Sequence, residues 1–384
     1  MTITLKRLGD IATYVNGYAF KPTDWKNKGL PIIRIQNLTN PDSPFNYYQG
    51  EIDDKYIVNK GDILISWSAS LGVFEWLGEK AVLNQHIFKV IFDKEDIDKS
   101  YFKYIVQRSL ERALKYLHGS TMKHITKKYF DNILVPIPDL VTQKKIAKVL
   151  DKAQELIDKR KAQIEALDQL TQSLFLEMFG DPVKNSLGFK TEPLHELCVH
   201  IFGGGTPSKS NPEYYIGNIP WVTPKDMKDI VINDSIDHIN EDAIANSSAK
   251  LIPPNSLLMV IRSGILKKKL PIAINTREVT VNQDMKAFVV DKNKITVEYL
   301  LYFFEFYQKV LLNRVRSVTA DNLDFQQIKE ILVPVPPINK QKEFSNIFYK
   351  VLAEKNKCLQ QLNELENNFN SLMQRAFKGE LFND

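Results

Sequence analysis

Leu134-Val-Pro-Ile-Pro138 and Leu332-Val-Pro-Val-Pro336 decide how this chain is read. They are one motif written twice, 198 residues apart. The same offset relates Gln143-Lys144 to Gln341-Lys342, Asn84-Gln85 to Asn282-Gln283, Thr121 to Thr319, and Ser173-Leu174 to Ser371-Leu372. Nearer the N-terminus it falls to 186, where Leu8-Gly-Asp-Ile11 matches Leu194-His-Glu-Leu197. The second copy therefore carries about a dozen extra residues in its early part. A period this long signals duplicated domains, because solenoid units run to about 20–50 residues.

Working outward from the prolines, each copy has the same order. Short apolar runs bounded by Gly, Pro and Asn predict strands at Pro31-Ile-Ile-Arg-Ile35 and Asp62-Ile-Leu-Ile-Ser66, and at Ile219-Pro-Trp-Val222 and Ser256-Leu-Leu-Met-Val-Ile261. Apolar residues at helical spacing then predict helices near Tyr101 to Leu117 and Val297 to Asn313. The paired prolines exclude helix where they stand and so mark a boundary.

A long amphipathic stretch follows each proline pair. In the first, Ile146, Leu150, Ala153, Ile157, Arg160, Ile164, Leu167, Thr171, Leu174 and Met178 alternate steps of four and three. In the second, Phe344, Phe348, Val351, Lys355, Cys358, Leu362, Leu365, Phe369, Leu372 and Ala376 do the same. That is coiled-coil spacing, and the narrow stripe suits helix-on-helix pairing. Neither stretch meets Pro or Gly before Gly180 or Gly379, which predicts helices of roughly 58 Å at 1.5 Å per residue. A domain whose ends lie close together connects them, so the pair is expected to run antiparallel. The chain divides into residues 1–139, a helix at 140–180, residues 181–337, and a helix with a tail at 338–384. The expected fold class is α+β: two tandem α/β domains, each followed by a long helix, the helices forming an antiparallel coiled coil.

Composition narrows the function. Apolar residues make up 43% and charged residues 25% of 384, as in a soluble globular protein. The net charge of +5 permits nucleic-acid binding without requiring it. Two cysteines, with no CxxC pair, indicate neither a zinc site nor a disulfide framework. Neither a signal peptide nor an apolar run of about 20 residues is seen, so a cytoplasmic protein away from membranes is expected.

Catalytic motifs are thin. Gly203-Gly-Gly-Thr-Pro-Ser-Lys209-Ser210 departs from a phosphate loop at Ser208, where the second Gly belongs. Pro41-Asp42 with Asp53-Asp-Lys55 has the look of a nuclease pattern, but turn chemistry explains Asn40-Pro-Asp-Ser43 equally well. There is no Asn-Pro-Pro-Tyr box, and His86, His118, His124, His195, His200 and His238 form no H-E-x-x-H. No catalytic residue and no metal ligand is assigned. The loops are richer. Hydroxyls, aromatic rings, amides and cations suited to phosphate contact and base-edge reading lie at Tyr18, Lys21, Arg34, Gln36 and Asn37, at Ser66, Trp67, Ser68 and Ser70, and at Lys123 and His124. In the second copy they lie at Thr206, Lys209, Lys225, Arg262, Ser263, Lys267, Lys268 and Lys269. The Ser66–Ser70 loop corresponds roughly to the Arg262–Lys269 region.

Taken together, Leu134-Val-Pro-Ile-Pro138 leading into Gln143-Lys-Lys-Ile-Ala147, the helix end Met178-Phe-Gly-Asp-Pro182, and their copies at Leu332–Gln341 and Ser371–Gly379 resemble the specificity subunits of type I restriction–modification systems. The resemblance covers essentially the whole chain. It implies that the two globular copies are target recognition domains, each reading one half of a split, asymmetric site on double-stranded DNA. It implies that the helices act as a ruler and dock two methyltransferase subunits, which carry S-adenosylmethionine and methylate adenine. A restriction (motor) subunit using ATP and magnesium could join them, and no cofactor is expected on this chain itself. The two copies share few residues in their central loops, which implies two different half-sites. A stand-alone magnesium-dependent nuclease and a helical scaffold without DNA are the alternatives that the residues leave open.

Overall fold

The proline motif is a strand in both copies. In the computed structural model, which describes residues 4–40, 42–68, 70–116, 126–314, 316–317 and 321–382, Leu134–Ile137 pairs antiparallel with Thr4–Arg7. Leu332–Pro334 pairs in the same way with Thr191–Pro193. Each globular copy is thus closed by zipping its first strand to its last. A two-stranded ribbon tolerates proline because one edge needs no N–H donor. Val135 and Val333 point inward and are fully buried, while their neighbours Leu134 and Leu332 are exposed. The chain forms two units, Met1–Lys161 with Gln360–Asp384, and Ala162–Leu359.

In the first unit, Thr13–Asn16, Ile87–Ile91, Ile63–Ser66 and Gly72–Glu75 form an antiparallel sheet in that order. A second sheet runs Asn46–Tyr48, Leu30–Ile33, Ala81–Leu83 and Ile57–Val58. Its central pair is parallel, with Ile32 opposite Val82. The strand Ile63–Ser66 is buried on both faces. Ile63 and Ile65 join the cluster against the helix Lys99–Tyr116, whereas Leu64 joins Ile33, Leu83 and Ile87 on the other side. That is the period of two expressed in a strand without a wet face. The strand expected through Ile35 stops at Ile33, because Ile35–Thr39 turns into a short helix capped by Asn37.

The second unit repeats this plan. Cys198–Gly203, Met285–Val290, Leu257–Val260 and Ile272–Asn275 repeat the antiparallel order, and Val231–Ile232 adds a fifth, parallel strand at the edge. Trp221 faces Thr280 in the parallel pair where Ile32 faces Val82. The registers show where the extra residues enter. Ile33 corresponds to Val222, Leu64 to Leu258 and Leu83 to Val281. Most of the added length therefore falls in the segment carrying the extra strand and in the loop after Val260, which holds Lys267, Lys268 and Lys269.

Both long helices are continuous, Leu140–Phe179 and Ile338–Lys378. Asp139 opens the first by accepting the Thr142 N–H at 2.9 Å and the Thr142 hydroxyl at 2.7 Å. These bonds hold the Asp139 carboxyl below the usual carboxylate range. Gly180 and Gly379 end the helices with φ of +69° and +77°, a conformation that costs glycine nothing.

The repeated Gln143 and Gln341 fix each helix to its domain. The Gln341 amide is fully buried; its carbonyl accepts the Thr296 N–H at 2.9 Å, and its NH2 donates to Pro336 O at 2.7 Å and Lys294 O at 3.1 Å. Gln143 likewise accepts the Asp98 N–H at 2.9 Å and donates to Pro138 O at 2.8 Å. One side chain thus ties the end of the proline strand to the start of the domain helix.

The two helices pair antiparallel within each unit. In the first, Ile146 and Leu150 share a cluster with Met373 and Ala376, while Arg160 reaches Gln361 and Lys161 meets Glu366 at 2.9 Å. In the second, Lys355 meets Asp168 at 2.6 Å, and the rings of Phe175 and Phe344 lie 5.3 Å apart. Ile146, Leu150, Ile157, Phe344 and Phe348 of the stripe are buried. Ile164, Leu167, Leu174, Val351, Leu362, Leu365, Phe369 and Leu372 are half-buried. The stripe departs from heptad spacing near Gly180. There Thr171, Phe175 and Phe179 are buried at steps of four, and Phe175 packs against Tyr299, Tyr302 and Phe306 of the domain helix. The helix ends thus serve two partners, each other and the domain core.

Gln341→Leu removes the acceptor for a buried N–H while keeping most of the volume. It is expected to lower unfolding free energy by about 1–3 kcal/mol, measured by denaturant unfolding of the full chain. A change near zero would mean that the amide does not hold the junction.

Candidate nucleic-acid interface

Each domain presents one turn whose backbone is fixed from beneath. In the first it is Asn84-Gln85-His86. The Asn84 N–H donates to Ile33 O at 3.1 Å, the Gln85 N–H to Tyr18 O at 2.9 Å, and the Tyr18 N–H to Leu83 O at 2.8 Å. Gly17 lies so close that a Cβ there would stand 2.0 Å from Asn84 O. His86 adopts a φ of +74°, uncommon for a residue with a side chain and frequent at binding sites. Its ring packs edge-on against Trp67 at 5.0 Å, and Trp67 stacks on Phe88. The Trp67 indole N–H donates to Asn16 Oδ1 at 3.3 Å. Asn84 Oδ1 and His86 Nδ1 are buried without a hydrogen-bond partner.

In the second domain the turn is Asn282-Gln283-Asp284. Asn282 N donates to Val222 O at 3.0 Å and Gly205 N to Val281 O at 2.9 Å. Gly204 stands where Gly17 does; a Cβ there would lie 1.6 Å from Asn282 O. A Cβ on Gly205 would lie 2.3 Å from Ala249 N. Packing therefore accounts for the glycine run that has the look of a phosphate loop. Around this turn Thr206 donates to the Gln283 side chain, and Arg262 Nε donates to Asp284 Oδ1 at 2.6 Å.

The strand registers align the two turns more closely than the sequence does. Ser66 pairs with Ile87, and Val260 with Met285. The Trp67 N–H donates to His86 O as the Ile261 N–H donates to Asp284 O. Ser68 therefore corresponds to Arg262, and His86 to Asp284. Gln85 and Gln283 were absent from the expected contact residues, although their recurrence at the common offset was the signal that marks them.

The other expected residues divide by direction. Tyr18, Lys21, Gln36 and Ser70 are exposed, as are Lys209, Lys225, Lys267, Lys268 and Lys269. Tyr18 packs edge-on against Phe20 and Tyr56. Arg34 lies over the Trp25 ring at 5.5 Å and donates to Pro44 O at 3.3 Å. Ser263 caps a short turn by accepting the Ile265 N–H. Three residues face inward. Asn37 is buried and spends its amide on the Arg34 N–H and on the carbonyls of Ser43 and Pro44. Ser66 is fully buried and donates to Ser70 O, and Ser68 is buried as well. Lys123 and His124, like the Thr121–Thr319 match, lie outside the described residues.

The Asp-Lys pattern has a local cause. Asp53 caps a single turn, accepting the Lys55 N–H at 3.0 Å, and its carboxylate meets Lys55 Nζ at 2.8 Å. The Lys55 ammonium holds the Asp53 carboxyl below its ordinary range. Among the described residues, no helix is long and apolar enough to cross a membrane.

Against this geometry, residues 2–167 and 187–367 match the family described as type I restriction modification DNA specificity domain. The chain belongs to this family. The two matches fall one on each copy of the repeat. The chain is similar to the type I restriction enzyme EcoR124I/EcoR124II specificity subunit of Escherichia coli, with 28% identity over 89% of this chain and 85% of that relative. In fold it is similar to the S subunit of a type I restriction–modification system from M. genitalium, with a TM-score of 0.58 at 16% identity over 98% of this chain and 96% of the other. A chain from a structural study of complex assembly and conformational transition of the type I R-M system gives 0.55 at 18% identity, over 99% of this chain and 98% of the other. The matched residues take in both globular copies and most of each long helix.

The lysines of the inserted loop offer a direct test. Replacing Lys267, Lys268 and Lys269 with Ala is expected to weaken binding to all duplexes alike and to reduce the salt dependence of affinity, as loss of phosphate contacts does. Gel shifts across a salt series measure both, and a changed order of sequence preference would instead mark these lysines as base readers.

Proposed function

We propose that this chain is the DNA-reading specificity subunit of a type I restriction–modification enzyme and performs no chemistry of its own. Its two domains each read one half of a bipartite, asymmetric site on double-stranded DNA. One observation carries this reading. Two domains of the DNA specificity family keep the same strand pairing, yet one turn carries Trp67 and His86 where its equivalent carries Ile261 and Asp284, and Arg262 stands exposed where the first domain has the buried Ser68. A shared frame with different side chains suits two readers of different sequences, since base edges are told apart by donor and acceptor pattern.

The partners follow from the same reading. Methyltransferase subunits, two of them, dock on the chain and bring S-adenosylmethionine to methylate adenine. A restriction subunit using ATP and magnesium joins where cleavage is required. The long helices set the spacing between the two half-sites. In support, each helix is continuous and is fastened to a domain by a buried glutamine.

Two experiments test this. Co-expression with a methyltransferase subunit of a type I system, followed by mapping of modified adenines, is expected to yield a split motif with an unspecified spacer. Absence of both a complex and a motif would refute the reading. Inserting four residues between Gln154 and Gln169 turns the helix register and is expected to change the spacer of the methylated motif. An unchanged spacer would mean that the helices do not measure it.

A further inference from the structure

We propose that Arg262, held by Asp284, reads a guanine in the half-site recognised by the second domain. The proposal rests on the DNA-reading function above and assigns one contact within it.

The argument starts from how tightly this arginine is held. Its Nε donates to Asp284 Oδ1 at 2.6 Å. The other carboxylate oxygen, Oδ2, accepts from Asn282 Nδ2 at 3.1 Å, so the acid is anchored on its far side. The backbone is tied to the same residue, because the N–H groups of Ile261 and Arg262 both donate to Asp284 O, at 2.8 and 3.2 Å. Asn282 in turn is packed under Gly204 and bonded to Val222 O. The guanidinium thus stands on a turn whose position is set by buried backbone.

Its outer face is available. The side chain is 48% exposed. Among the described residues its only hydrogen bond is the one through Nε, which leaves the terminal N–H donors to a ligand. A guanidinium held through Nε presents those donors as a planar fork. Guanine offers O6 and N7 side by side in the major groove, and the fork matches both. Adenine would set an amino donor against one prong. A phosphate is a poorer match, because the adjoining Asp284 carboxylate offsets the charge that attracts it. Preorganisation of this kind confers specificity because the side chain needs no reordering on binding.

The first domain has no counterpart. Ser68 stands in place of Arg262 and is buried, and His86 stands in place of Asp284. The assignment therefore concerns one half-site only.

The test uses the complex with its methyltransferase subunits and duplexes bearing each single-base change across the motif. The intact complex is expected to lose about ten- to hundredfold in affinity when one particular guanine is replaced. Arg262→Lys, which keeps the charge and loses the fork, is expected to bring that discrimination close to unity and leave the other half-site unchanged. Asp284→Asn is expected to relax the same base pair, with the thermal unfolding midpoint held, since Asp284 acts by positioning. The Arg262→Lys, Asp284→Asn double variant is expected to add little to either. The assignment is overturned if Arg262→Lys discriminates as well as the parent, or if it weakens all sequences equally, as a phosphate contact would. It is also overturned if Asp284→Asn relaxes a different base pair. If the intact complex methylates no bipartite motif at all, the assignment falls with the function it rests on.

Discussion

A single buried amide joins three elements in each copy. Gln143 and Gln341 sit where the proline strand ends, the domain helix begins and the long helix sets out. Each takes up a backbone N–H and a backbone carbonyl that would otherwise be buried without partners. Leaving one of these groups unsatisfied costs about 1–3 kcal/mol. The amide therefore does more than add stability: it fixes the direction in which a helix of about 60 Å leaves its domain. Tyr101 reinforces the joint in the first unit by donating to Pro136 O at 2.7 Å. The aromatic cluster around Phe175 does so in the second.

From that joint outward, the two domains share architecture and part company in chemistry. Both carry a strand buried on both faces, a parallel pair behind it, and a turn pinned by a glycine. The first turn is lined by rings, Trp67 and His86, with two buried polar atoms lacking partners. The second is lined by an ion pair whose acid is locked on both oxygens. One turn is built on packed rings, the other carries an oriented, half-exposed cation.

Much of this was legible in the sequence where local rules decide the outcome. The proline boundaries and the helix ends at Gly180 and Gly379 each follow from chemistry within a few residues, and the repeat from matching motifs at a common offset. The strands at Ile219–Val222 and Ile63–Ser66 likewise follow from short apolar runs bounded by turn residues. What escaped depends on registration over long distances. Phe175 lies off the four-three ladder because the helix end packs on its domain helix as well as on its partner helix. Asn37, Ser66 and Ser68 have side chains suited to DNA, yet residue type says nothing of direction, and all three point inward. Arg262 was visible as a cation, but its acid lies 22 residues on and is found only when the strands are aligned.

The glycines under the turns have a consequence for how such a protein changes over time. Because Gly17 and Gly204 press on carbonyl groups, the shape of each reading turn is set by main-chain atoms and not by the side chains it displays. Substitutions at exposed positions such as Arg262 alter chemistry without repacking a core, and changes of that kind cost little stability. Selection for a new target and selection for a folded chain then act on separate residues. A lineage could exchange one recognised sequence for another in a few steps, with every intermediate still able to assemble.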